Sequence, residues 1–358
     1  MKNKLKTIVL LFTRHCNLKC IHCAHNDLNL SKDTELSTDF FVQVLAEAKN
    51  LGAKNVSITG GEIFTRPDCM DLIERMVNLG YLVTLESNGT LISDNQLERL
   101  KLFGKKITLV ISLDGITENT HDSIRGGKSF LKTVDVLKKA AAMKINTRIN
   151  TVLQKSNINE VAKIASFALN ELHIKFRLVP NILEHGGGAC NKDLIEVGYN
   201  QVQRKLKKDF FPLLLSNEKK VSIGLNVALM PIESNGGTFC YCAHSMLGIG
   251  PNGIVSLCHI SNSNSNFYFG DLKTTSITDI WENSERIKDF RKVKPSDLHG
   301  VCGNCLANKI CRGGCRVAAI TKYGDFLAPD PQCQEVYNLG KFPKYAIENS
   351  QKKCFYGI

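Results

Sequence analysis

The segment Thr7-Ile8-Val9-Leu10-Leu11-Phe12 is followed by Thr13-Arg14-His15 and then by Cys16-Asn17-Leu18-Lys19-Cys20-Ile21-His22-Cys23. The apolar run is shorter than a secretion-signal core and lacks a small-residue cleavage site, so it reads as a first buried strand. Cys16 follows that strand by four residues, and the three thiols are then spaced C-x3-C-x2-C. Soft thiolates hold iron-sulfur cubes, normally four to a cube. A tripod therefore leaves one iron open to the amine and carboxylate of a small amino-acid moiety. A zinc-binding or simply buried set of thiols has the same spacing.

Outward from this segment, short β-branched runs alternate with amphipathic stretches, the pattern of a parallel sheet with crossover helices. The expected strands are Thr7-Phe12, Asn55-Thr59, Tyr81-Glu86, Lys106-Leu113, Ile145-Leu153 and Ile174-Pro180. Ser37 is placed to cap a helix over Thr38-Leu51, and Ser93 with Gln96 and Asn157 with Glu160 read as capping boxes. The fold class expected is α/β, a partial (β/α)6 barrel followed by a small cysteine-rich α+β domain. In such sheets chemistry gathers at the carboxyl ends of the strands, where the tripod also falls.

Three more segments fall at those ends. Thr59-Gly60-Gly61-Glu62 follows the second strand; its glycines let backbone approach a ligand closely, and Glu62 is placed to orient them or meet an ammonium. Ser87-Asn88-Gly89 follows the third strand and Ser112-Leu113-Asp114-Gly115 the fourth. Further on, His121-Asp122-Ser123-Ile124-Arg125-Gly126-Gly127 carries a guanidinium fork suited to a carboxylate. Together with the tripod, these residues resemble the radical S-adenosylmethionine superfamily. The resemblance implies a four-iron cluster on Cys16, Cys20 and Cys23 whose open corner binds S-adenosylmethionine. Reductive cleavage there releases a 5'-deoxyadenosyl radical that takes hydrogen from substrate. It also assigns Gly60, Gly61 and Glu62 to the methionine amino group, and Ser87, Asn88, Ser112 and Asp114 to ribose and carboxylate contacts. Arg125 falls to the methionine carboxylate, and His22 stands where the family usually has Tyr or Phe beside the adenine.

In the second half, Cys242-x10-Gly253-x4-Cys258 precedes Cys302-x2-Cys305-x5-Cys311-x3-Cys315 and then Cys333. Zinc ribbons also use C-x2-C pairs. The order of the seven resembles the SPASM extension of radical enzymes, which implies two auxiliary iron-sulfur clusters. Cys302, Cys305, Cys311 and Cys333 would hold one; Cys315 would join Cys258 and Cys242 on the other, with Cys240 a candidate fourth ligand. The cofactors implied are three 4Fe-4S clusters and S-adenosylmethionine. His259 occupies the place of a carboxylate in sulfatase-type members. It is a candidate proton acceptor during substrate oxidation, or a hydrogen-bond partner of the cluster. Cys69, Cys190 and Cys354 fit no ligand pattern and read as free thiols.

These readings divide the chain into a barrel (1–190), a bridging region (191–238) with a long helix over Lys192-Leu215, the SPASM domain (239–336) and a tail (337–358). Within the third part, Ile277-Phe290 reads as one amphipathic helix with Trp281 in its core face. Fourteen cysteines without an export signal suggest metal ligands in a reducing cytoplasm. No run approaches the roughly 20 apolar residues of a membrane span. The 46 basic and 34 acidic residues give a net charge of +12, concentrated in Lys138-Lys144, Arg204-Lys208 and Arg286-Lys294. Those stretches suit solvated helix faces, or attraction of an acidic peptide or anionic substrate. They lack the interleaved aromatics of a nucleic-acid platform.

The function expected is a maturase that crosslinks or otherwise oxidises a residue of a small ribosomally made peptide. Two alternatives stand beside it: a small-molecule oxidoreductase or epimerase acting on an amino sugar or tetrapyrrole side chain, and a non-catalytic iron-sulfur electron carrier. The partners expected are the precursor peptide and an electron donor, namely a reductase, flavodoxin or ferredoxin. Because the tripod begins at Cys16 with no room upstream for a leader-binding domain, leader recognition would rely on the basic faces or on a separate leader-binding protein.

Overall fold

The computed structural model describes residues 3–25, 35–179, 187–230, 241–263 and 265–347. Cys240, Cys354 and the expected strand end at Pro180 lie outside the described residues. Six parallel strands form the barrel wall: β1 (Thr7–Thr13), β2 (Asn55–Gly60), β3 (Leu82–Ser87), β4 (Ile107–Ser112), β5 (Thr147–Val152) and β6 (Lys175–Val179). Each pairs with the next in chain order. The crossovers are α1 (Thr38–Asn50), α2 (Cys69–Asn78), α3 (Asp94–Leu102), α4 (Glu118–Arg125), α5 (Phe130–Ala142) and α6 (Val161–Ser166).

β1 is covered on both faces, as a central parallel strand must be. Ile8, Leu10 and Phe12 pack into the main core with Phe41 and Leu45 of α1, and the Phe12 and Phe41 rings meet edge-on at 5.9 Å. Val9 and Leu11, equally buried, alternate to the barrel interior. The helices start where the sequence puts caps. Ser37 Oγ accepts from Phe40 N at 3.2 Å, and Ser93 and Gln96 complete a reciprocal box at α3.

Four short strands extend this wall into one ten-stranded sheet in the order β10-β9-β8-β1-β2-β3-β4-β5-β6-β7. They are β7 (Val221–Ile223), β8 (Met246–Ile249), β9 (Ile254–Ser256) and β10 (Tyr268–Asp271). β7 lies parallel to β6, and β8 parallel to β1 with Met246 opposite Thr7. The β8–β9 hairpin, which precedes Cys258, is therefore part of the barrel's own sheet. A second, smaller core joins Leu298, Val301, Cys302, Cys305 and Cys333 to Phe342 and Ala346, so packing continues past the expected boundary at residue 336.

Three local expectations differ from the structure. Asn157 and Glu160 form no capping box; α6 begins after Glu160 without a side-chain cap. Asn157 is instead fully buried, accepting from Gln154 N (2.8 Å) and donating to Asp114 O (2.9 Å) and Val152 O (2.8 Å). The expected helix over Lys192-Leu215 is broken into Lys192–Ile195, Tyr199–Lys205, a π turn over Leu206–Phe210, and Phe211–Ser216. Gly198 and Pro212 stand at two of the restarts, where helix interiors tolerate them poorly. The segment Ile277-Phe290 likewise splits at Ser284 into Ile277–Asn283 and Glu285–Lys292. Trp281 is core, with Nε1 donating to Asn3 O at 3.0 Å. Among the described residues no helix is long and apolar enough to cross a membrane.

Candidate active site

The loop carrying the tripod is fixed from three sides. Gly61 N donates to Thr13 O (2.9 Å) and Glu62 N to His15 O (2.7 Å), so the end of β2 clasps the backbone leading into Cys16. A Cβ on Gly61 would overlap His15 O, and one on Gly60 would come within 2.6 Å of Thr13 O. The close approach these glycines permit is thus to the cluster loop itself. On the other side Ile21 N donates to Ile124 O (3.0 Å), Gly187 N to Cys23 O (2.7 Å) and Asn191 Nδ2 to Ile21 O (2.9 Å).

Cys16 is exposed, Cys23 half-buried and Cys20 buried. Leu18 N donates to Cys16 Sγ and His25 N to Cys23 Sγ, both at 3.4 Å, while Arg125 Nη1 lies 4.0 Å from Cys20 Sγ. These groups favour thiolates, yet the surrounding loop desolvates the sulfur of the otherwise exposed Cys16 and pushes its thiol up to about 11. Deprotonation here belongs to metal binding, which releases the protons.

Two buried networks flank the tripod. Glu62 accepts from Ser87 Oγ (2.8 Å), Asn88 N (2.7 Å) and Phe64 N (3.2 Å), which fixes the loop after β3. Burial nevertheless raises the Glu62 carboxyl against those bonds. Asn88 Nδ2 donates on to Asn17 Oδ1 within the tripod loop (2.9 Å). In the second network Asp114 accepts from Arg125 Nε (2.6 Å) and Val152 N (2.8 Å). Burial opposes its charge, but Arg125, His22 and the Val152 amide hold the carboxyl below its usual range. His22 Nε2 is 3.9 Å from Asp114, its Nδ1 is 3.0 Å from Gln154 Nε2, and burial pulls its pKa down to about 4. Ser112 sits opposite Asn150 at the end of β4, and among the described residues no hydrogen bond of its hydroxyl joins it to either network.

Of the seven cysteines of the second half, four come together. Cys302, Cys305, Cys311 and Cys333 line one cavity together with Asn226 and Asp330. Asp330 N donates to Cys302 Sγ (3.3 Å) and Asn226 Nδ2 to Cys333 Sγ (3.4 Å). Cys315 leaves this group to pack against the main core, as do Cys242 and Cys258. It remains tied to the other set through Cys315 N donating to Asp330 Oδ2 (3.0 Å). Cys242 hydrogen-bonds Cys258, and with His259 and Ser261 it draws the Cys258 thiol down to about 6 despite burial. Gly313 and Gly314 adopt φ of +80° and +69°, and a Cβ on Gly314 would strike Asp330 Oδ2.

His259 comes to the mouth of the barrel, its ring centroid 6.0 Å from that of His25 and its Nδ1 buried without a hydrogen-bond partner. Arg14, two residues before the tripod, donates from Nη2 to Asn262 Oδ1 at 2.8 Å. Asn17, Gln154, Asn226 and Asp330 were not foreseen, because single polar residues carry no spacing signal. The Asp330-Pro331 step, an N-cap before a helix-starting proline, is the one sequence cue among them.

The donor sets fit iron-sulfur cubes. Thiolates on one zinc, with Zn–S near 2.3 Å, lie within about 4 Å of one another. Among the described residues no three His, Cys, Asp or Glu side chains gather so around a single ion, and the four thiols that line one cavity are the soft donors that iron-sulfur clusters take. The Radical SAM superfamily profile matches residues 10–168, and an iron-sulfur cluster-binding domain profile, SPASM, matches 240–306. The chain is 30% identical to the AdoMet-dependent heme synthase of Methanosarcina barkeri over 95% of this chain and 99% of that one. It is 25% identical to the PqqA peptide cyclase of Rhizobium meliloti over 90% of this chain and 84% of that one. Streptococcus suis SuiB bound to S-adenosylmethionine superposes with a TM-score of 0.73 at 20% identity, covering 93% of this chain and 78% of SuiB. The chain is a radical S-adenosylmethionine enzyme of the SPASM-bearing kind.

Proposed function

We propose that this enzyme abstracts hydrogen from a residue of a small ribosomally made peptide and completes an oxidation there, leaving a crosslink or another oxidised product. The observation that carries the oxidative part is the continuity of the sheet. β8 pairs directly with β1, and His259, which follows the β8–β9 hairpin, has its ring 6.0 Å from that of His25 in the tripod loop. The likeness to a peptide cyclase supports the substrate class. When bound, S-adenosylmethionine and its four-iron cluster supply the 5'-deoxyadenosyl radical, and two auxiliary clusters accept the substrate's electron. Cys16, Cys20 and Cys23 would hold the first cluster; Glu62 positions the Ser87-Asn88 loop; Asp114 holds Arg125, whose Nη1 lies 4.0 Å from Cys20 Sγ and whose guanidinium would meet the carboxylate of S-adenosylmethionine. His259, whose Nδ1 has no partner, takes the proton that oxidation releases. Three thiol-rich sites call for a reducing compartment, the cytoplasm.

A second reading, oxidation of a tetrapyrrole side chain, is favoured by the near-complete mutual coverage with a heme synthase. One experiment separates them. The reconstituted, anaerobic enzyme is given S-adenosylmethionine, a reductant and either synthetic peptides from short reading frames beside its gene or a propionate-bearing porphyrin. Loss of two hydrogens from a peptide, with one 5'-deoxyadenosine per product, supports the first reading. Conversion of the porphyrin with untouched peptide replaces it by the second, and inertness of both overturns the two together.

A further inference from the structure

A cavity of about 510 Å³ opens on the side of the molecule away from the tripod. Arg291, Lys292, Lys294, Lys309, Arg312 and Arg316 line it, and no carboxylate does among the described residues. Phe290 and Phe326 form an apolar wall, their centroids 4.4 Å apart. Arg291 stacks on Trp281 at 4.0 Å and donates from Nε to Ala243 O (2.7 Å), while its buried Nη2 has no hydrogen-bond partner. On the rim Lys292 pairs with Asp289 (2.9 Å), and Lys294, Lys309 and Arg312 are exposed.

The cavity shares a wall with the site of Cys302, Cys305, Cys311 and Cys333. Gly313 lines the cysteine site, and a Cβ there would come within 2.8 Å of Leu298 Cδ1 and 2.9 Å of Arg316 Nη2, both of which line the basic cavity. The short helix Asn308–Cys311 turns Cys311 inward and leaves Lys309 and Ile310 exposed, Ile310 by 54%. Asn3 and His244 also line the cavity, and they precede β1 and β8. The tripod follows the far end of β1, so a seven-residue strand of about 20 Å separates the two places. A substrate residue losing hydrogen must lie at the tripod. An electron needs only the nearer thiolate site.

We propose that this cavity and its rim are the docking site of an acidic one-electron carrier of the flavodoxin class, which removes the electron released by substrate oxidation. The carrier gains one electron, the iron-sulfur centre held by the four thiolates loses one, and no bond or proton moves. The exposed Lys294, Lys309 and Arg312, with Arg291 deeper in the cavity, steer an acidic surface, and an exposed isoleucine beside them supplies apolar contact. The proposal rests on the oxidative reading above but not on the choice of substrate.

The test uses the reconstituted holoenzyme, oxidised flavodoxin and the Lys294→Glu/Lys309→Glu variant. Calorimetry should give a Kd for wild type that weakens as NaCl rises from about 50 to about 500 mM, and one at least about tenfold weaker for the variant. Zero-length carbodiimide coupling should join flavodoxin carboxylates to Lys294 or Lys309. After anaerobic reduction, electron transfer to flavodoxin should slow by a similar factor in the variant, while oxidation by a small neutral quinone stays within about twofold. An unchanged Kd, coupling elsewhere, or equal loss with flavodoxin and quinone overturns the site. Normal product formation without carrier binding would sink the docking site alone, whereas carrier binding without product from any substrate would sink only the proposed reaction.

Discussion

At Asp114 a single buried carboxylate faces Arg125, His22 and two chain segments, and its loss would strand a guanidinium that is 8% exposed. Breaking one partner of such a pair costs about 3–5 kcal/mol. Asp114→Ala should lower the urea midpoint of the purified protein accordingly; a change under about 1 kcal/mol would show that Arg125 finds another partner. His121 adds a pH signature to the same corner. Its Nδ1 accepts from Asp114 N at 3.2 Å, and burial, aided by Arg125, lowers its pKa from the ordinary 6.5 to about 4. The unfolded chain therefore binds this proton first, and stability falls as pH drops from 6.5 towards 4. The loss between pH 7 and pH 5 is at most about 2 kcal/mol from this residue. His121→Gln should flatten the pH dependence of the urea midpoint by that amount, and an unaltered slope would contradict a neutral His121. Asp114 and Arg125 were legible from sequence through their motifs. Gln154 beside His22 was not, since a glutamine after a strand looks like any other loop residue.

At the scale of elements, length decided what could be read. The six strands of five to seven residues carry enough β-branched periodicity to be found, and the structure places them within two residues of expectation at each end. β7 to β10 have three or four residues each, too few to show alternation. Capping logic worked at Ser93, where a helix follows at once, and failed at Asn157, whose side chain is drawn into the barrel by two carbonyls. Asn157→Ala should cost about 2–3 kcal/mol by leaving those groups unpaired. Gly61→Ala tests the clasp between β2 and the tripod loop. Its Cβ would displace His15, and the reconstituted variant should lose about four irons while keeping its auxiliary clusters. Full iron content would mean that the loop adjusts without cost.

Over the whole molecule one sheet runs from the barrel into the hairpin before Cys258, while a second core forms around Cys302, Cys305 and Cys333. Cys315 is the hinge between these bodies. Its thiol lies against the main core and accepts from Ala318 N at 3.5 Å, but its backbone is held by Asp330, whose other oxygen accepts from Asn226 and the Cys333 amide. Cys315→Ala leaves every one of those backbone and carboxylate bonds in place, so the fold and the Cys302 site should persist. If Cys315 shares a cluster with Cys242 and Cys258, as the SPASM resemblance implies, the variant should lose about four of about twelve irons. Hydrogen abstraction depends on the tripod at the other end of the sheet's shared edge and should continue. We therefore expect 5'-deoxyadenosine to form and deuterium from labelled substrate to reach it, while the oxidised product is suppressed for want of a place to put the electron. A folded variant lacking that cluster that still yields product at the normal rate would make the cluster structural, and a redox-neutral reaction would then account better for the barrel and its hairpin.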